Sequence, residues 1–175
     1  SPLAPGAQQT VTGTFSVPAL TAGTYYIGAI ADYDSKVAES NEANNAKAGN
    51  TIALAQGVPD LIVTAVSGPA SATKGQQVTV TGTVKNQGQG VSGPFFNFLY
   101  LSTDATISSS DTYIGWNGIG SLAVGGQQSF TLTVTIPATL TAGTYYIGAV
   151  TDNNSNVAET NETNNAKAGN QIAIQ

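Results

Sequence analysis

Two stretches of this chain hold most of its acids. Residues 32–45 read DYDSKVAESNEANN, and residues 152–165 read DNNSNVAETNETNN. Of the ten Asp and Glu residues in 175, seven lie there: Asp32, Asp34, Glu39 and Glu42 in the first stretch, Asp152, Glu159 and Glu162 in the second. Carboxylates this closely spaced, with Asn carbonyls between them, form the hard oxygen donor set that calcium takes. The register is not the D-x-D-x-D-G of an EF-hand loop. A second reading is structural: Asp and Asn cap turns through their own backbone, while Glu stays solvated or pairs with Lys47 and Lys167. Asp34 stands where the second copy has Asn154, so if one copy alone binds calcium, the first is expected to bind more tightly.

Other candidates are isolated. Asp104 and Asp111 flank a serine-rich segment, LSTDATISSSD, which suits either calcium or an Asx/ST turn. Trp116, the single tryptophan, is a candidate platform for a sugar ring or a packing residue. Asn153 and Asn161 begin N-x-S/T triplets, so both are candidate glycosylation sites. No catalytic residue is assigned. Cys, His and Arg are absent, which removes thiolate and imidazole chemistry and bidentate phosphate recognition. The formal net charge of −5 argues against nucleic-acid partners, and no apolar run is long enough to insert into a membrane. No cofactor is expected apart from calcium. The first residue is Ser, which reads as a processed chain or a piece of a longer one.

An internal repeat organises the elements that must position these residues. Residues 20–54 and 140–174 are identical at 26 of 35 positions. The match continues upstream with one insertion, Thr139, so Val11, Phe15 and Val17 align with Phe130, Val134 and Ile136. The chain therefore divides into residues 1–56, the second half of one repeat, a junction at 57–59, and a complete repeat at 60–175. Strict alternation, as in QSFTLTVTI (128–136) and QVTVTGTV (77–84), marks half-buried strands. Strands are expected at 60–66, 76–84, 95–101, 112–116, 127–136, 144–151 and 170–174. Seven short antiparallel strands imply an all-β, immunoglobulin-like sandwich. The L-x-x-G-x-Y runs ending at Tyr25 and Tyr145 fit a tyrosine corner, a structural role.

The order PDLIVTAV, TVKNQGQG, FLYLSTDATISSSDTYIG and GTYYIGAVTDNNSNVAETNETNN resembles the CARDB domain, the cell adhesion related domain found in bacteria. The resemblance covers 58–175 in full and 1–56 as the C-terminal half. It implies an extracellular, adhesive or architectural module, often in tandem, with no catalytic activity. The implied partners are neighbouring repeats or identical subunits, as in a filament, and a cell-surface or polysaccharide ligand. Residues 1–56 would supply the last three strands of a sandwich. They would leave Phe15, Val17 and Ile27 exposed, an arrangement that invites self-association.

Overall fold

The computed structural model describes residues 3–18 and 20–175. They form two compact units, Ser1–Gln56 (unit 1) and Gly57–Gln175 (unit 2). Among the described residues there are only strands, turns and irregular segments, and no helix long and apolar enough to cross a membrane.

Unit 2 is an antiparallel sandwich of two sheets. One holds β3 (Leu61–Ser67), β5 (Gln77–Asn86) and β8 (Gln127–Thr135) in that order. The other runs β4 (Ser71–Ala72), β10 (Ala166–Ile174), β9 (Gly143–Thr151), β6 (Phe95–Ser102) and β7 (Thr112–Ile119). The all-β, immunoglobulin-like fold expected from the alternation is what forms. The strands differ from the sequence reading in several details, among them β7, which runs on to Ile119 where 112–116 was expected. The two-residue β4 adds a parallel pairing to the end of β10. β10 also begins four residues earlier than expected, at Ala166, because its register shifts between Ala168 and Gln171 and lets pairing resume beyond an irregularity.

The period of two decides the core. In β5, Val78, Val80 and Val84 are buried while Thr79 and Thr81 face out. Leu61, Val63, Leu99 and Phe95 from the first half of the unit meet Phe130, Val134, Ile136, Ile147 and Ile172 from the second. A smaller cluster of Tyr100, Ile107 and Val150 lies on the outer face of the larger sheet. It exists because Gly148 leaves room for Ile107: a Cβ there would sit 2.3 Å from that side chain.

Unit 1 contains one hairpin, β1 (Gly23–Ile30) paired with β2 (Ala46–Leu54), with the same irregularity after Tyr26 that β9 and β10 show. The strand expected over Val11–Val17 does not form. Its counterpart β8 is held by nine backbone-paired positions on β5, from Gln77 opposite Thr135 to Lys85 opposite Gln127. Among the described residues, unit 1 has no counterpart of β5. Alternation is a pattern of burial, and without a ladder partner it does not make a strand.

Candidate cation site

The repeated acidic loop joins β9 to β10 in unit 2. Asp152 opens it at φ +45°, and Ser155 follows at +49°. This left-handed backbone is tolerated by Asp because its short side chain bonds locally. The Asp152 carboxylate accepts the backbone N–H of Asn156 at 3.1 Å and of Val157 at 2.9 Å. Glu162 folds back to accept the N–H of Glu159 at 2.8 Å. The loop in unit 1 repeats this geometry: Asp32 at φ +47° accepts Lys36 and Val37, and Glu42 accepts Glu39.

What differs is the surroundings. In unit 2 the loop is clamped to the start of β3. Glu159 accepts the backbone N–H of Leu61 on one oxygen and the Asn165 amide on the other, the latter at 2.8 Å. Asn164 donates to Asp60 at 2.8 Å, and the Thr160 N–H donates to the Pro59 carbonyl at 2.9 Å. The Asp152 N–H reaches the Phe96 carbonyl of β6 at 2.8 Å. Asp152 is thereby only 3% exposed.

One carboxylate oxygen from each of Asp152, Glu159 and Glu162 lies within 4.8 Å of the others. Burial raises the Asp152 and Glu159 carboxyls, and the neighbouring negative charge of Glu162 adds to both. Glu159 is pushed up to about 7. Among the described residues, four buried side-chain oxygens have no hydrogen-bond partner: Asn164 Oδ1 and Asn165 Oδ1 at the end of this loop, Thr151 Oγ1 just before it, and Asn97 Oδ1 on β6, opposite Thr151. Three carboxylates drawn this close repel one another when ionised, and orphaned oxygen acceptors lack a donor, so positive charge would relieve both. The donors are all oxygen, the class that suits calcium or magnesium.

Sequence reasoning placed all seven loop acids as candidates, and the structure brings together three. Asp32, Glu39 and Glu42 remain on an open loop, and Asp34 pairs with Lys36. Among the described residues the clustered acids are in unit 2, the copy that carries Asn154 in place of Asp34. The extra carboxylate of Asp34 forms a solvent-exposed ion pair with Lys36, and among the described residues unit 1 has no counterpart of β3 or β6 to bury the loop. Lys47 and Lys167 form no ion pair with the loop glutamates; Lys36–Asp34 is the one ion pair among the described residues. Asp60, Asn164, Asn165, Asn97 and Thr151 went unnoticed in the sequence. The doubled Asn ending the loop and the Pro-Asp before β3 were the signals available.

The other candidates resolve more simply. Asp104 accepts the Thr106 N–H at 2.7 Å, and Asp111 accepts that of Ser108 at 2.7 Å, so both carboxylates cap their own turns. Tyr145 donates to the Thr141 carbonyl at 2.9 Å and Tyr25 to that of Thr21 at 3.0 Å, the bond of a tyrosine corner in each unit. Asn161 is exposed but already accepts both the N–H and the hydroxyl of Thr163, while Asn153 is half-buried. Trp116 is 53% exposed on edge strand β7, its ring 5.2 Å from that of Phe96 in an edge-on arrangement. With Phe98 and Asn154 these rings line a shallow recess of about 230 Å³.

Comparison with known proteins agrees with this architecture. The CARDB family model matches residues 1–49 and again 58–169. The chain belongs to the CARDB family. That family is an adhesion-related module without catalytic activity. The fold is similar to the CARDB domain of the PF1109 protein of Pyrococcus furiosus, crystallised in complex with di-metal ions. It is 23% identical over 70% of this chain and 93% of that one, with a TM-score of 0.52. The solution NMR structure of the same domain gives 23% identity, 67% and 95% coverage and a TM-score of 0.50. A search of the curated proteins finds no match.

Proposed function

We propose that this CARDB chain is a non-enzymatic structural and adhesion module of an extracellular, tandem-repeat surface protein or fibre. Its partners are neighbouring repeats or identical subunits. Its acidic loop takes a calcium ion that locks β3 to the β9–β10 connection. The observation that carries the serial reading is where the chain enters and leaves unit 2. Pro59 is bonded to Thr160, beside the start of β10, and Gln175 is bonded to Ala72, at its end. Entry and exit are thus separated by the nine residues of β10, or roughly 30 Å of extended chain. Such a domain continues a string instead of folding it back.

Calcium is favoured by the three clustered carboxylates, by the orphaned oxygens of Asn164 and Asn165 in the same loop, and by the metal-bound state of the similar domain. A melting curve of the full chain with calcium and with chelator tests it. At a hundredfold excess over its dissociation constant an ion that binds only the folded state adds about 2.7 kcal/mol. An unchanged midpoint would sink the metal reading. The alternative, a polysaccharide-binding module, is favoured by the exposure of Trp116 beside Phe96 and Phe98. Binding to a glycan array that Trp116→Ala abolishes would put it in place of the structural reading.

A further inference from the structure

The two units carry nearly the same C-terminal half, yet opposite fates befall its apolar face. In unit 2, Val134, Ile136, Ile147, Ile172 and Ile174 are buried. Their counterparts Phe15, Val17, Ile27, Ile52 and Leu54 line an open groove of about 280 Å³ in unit 1. Val17 is 47% and Ile27 43% exposed, where Ile136 and Ile147 are both at 0%. The edges are as unequal. β9 is held by β6 from Asn97 opposite Thr151 to Ser102 opposite Tyr146, whereas β1 pairs with β2 alone.

Unit 2 shows what covers such a face. Half of its core comes from residues 58–120: Leu61 and Val63 on β3, Val80 and Val84 on β5, Leu99 and Leu101 on β6. The same segment supplies the ladder to β8 and to β9. We infer that the open face of unit 1 is the seat of an N-terminal half-repeat patterned like residues 58–120, joined ahead of residue 1 in a longer chain. That segment would add strands on both open edges and convert residues 8–17 into a strand. Two observations point to this occupant. The groove is lined by the residue types that such a half already covers in unit 2, at aligned positions. A second copy of the chain is poorly suited, because its own residues 58–120 are occupied by its residues 121–175. Linkage within one chain also makes the pairing intramolecular, as it is in unit 2. The inference rests on the reading of repeats in series, whose glycan and calcium tests do not involve residues 1–56.

The test grafts a second copy of residues 58–120 ahead of residue 1 of the full chain and follows amide hydrogen exchange by mass spectrometry. Peptides covering 10–30 and 46–54 should slow by at least roughly a hundredfold relative to the ungrafted chain, with unit 2 as internal reference. The grafted chain should remain monomeric. No slowing in a grafted chain whose unit 2 stays protected overturns the inference. Equal slowing in the ungrafted chain on concentration, with a doubled mass, also overturns it and makes a second copy the occupant. A pair of variants in the ungrafted chain keeps the question open to refutation even if the graft misfolds. Ile147→Ser should lower the melting midpoint by at least roughly 10 °C, and Ile27→Ser should leave it unchanged. If both fall alike, the face of unit 1 is already covered by something else and the inference fails.

Discussion

Without metal, the acid cluster makes the chain less stable as pH rises. Glu159 carries an ordinary carboxyl value of 4.5 to about 7 on folding. Below 4.5 both folded and unfolded chains are protonated there. Between 4.5 and about 7 the unfolded chain loses the proton while the folded chain keeps it, so stability falls. Above that range both are ionised, and the contribution is gone. For a fully buried group the rise would be worth about 3.4 kcal/mol, at about 1.36 kcal/mol per tenfold. The Glu159 carboxyl keeps part of its surface in water, so about 1–2 kcal/mol is the proper scale. A unit the length of Gly57–Gln175 has an unfolding entropy of about 0.25 kcal/mol/K, so the midpoint should drop by about 4–8 °C. The assay is calorimetry of the chelated full chain at pH 5 and pH 8, beside Glu159→Gln. The Gln carbonyl can still accept the Leu61 N–H, and the Asn165 amide can turn its free oxygen toward the new NH₂. The variant should therefore match the parent at pH 5 and exceed it at pH 8. Saturating calcium should abolish the parent's drop. A gap between parent and variant that is the same at both pH values would refute the reasoning.

Other outcomes are expected. Removing residues 1–56 should leave 58–175 a folded monomer with an unchanged midpoint, seen by calorimetry and light scattering. Asn86→Ala should destabilise by roughly 3 kcal/mol or more in denaturant titration, because the buried Asn86 amide bonds Gly90 and Leu122 carbonyls and the Asp60 and Gly88 N–H groups at once. Tyr145→Phe should cost about 1 kcal/mol through its lost bond to Thr141, while Tyr25→Phe, on the exposed corner, should leave the melting of unit 2 untouched. Gly169→Ala should weaken the fold severely by thermal melting, since its Cβ would lie 2.1 Å from the Val66 carbonyl oxygen.

The strands were legible where alternation and pairing coincide. QVTVTGTV became β5 because its valines face Phe130 and Val134 and its backbone lies between β3 and β8. TGTFSV in the first unit carries much the same pattern and forms no strand, because what it would pair with is not beside it. The candidate site shows the same split. The seven acids were visible as a composition bias, but nothing in their spacing said which would converge. Asn164, Asn165 and Asp60 joined the site through a contact that spans about a hundred residues, from the start of β3 to the β9–β10 loop.

The two loops set out the division most directly. Residues 32–45 and 152–165 adopt the same left-handed Asp and Ser and make the same bonds from Asp to the backbone four and five residues on. That geometry is the sequence's own, because every group involved lies within a few residues and needs no neighbour. Whether the carboxylates are then desolvated and gathered into a candidate cation site depends on β3 and β6 arriving beside them. They arrive for Asp152, which is 3% exposed, and not for Asp32. Desolvation is a property of the surroundings, and only the tertiary structure supplies surroundings.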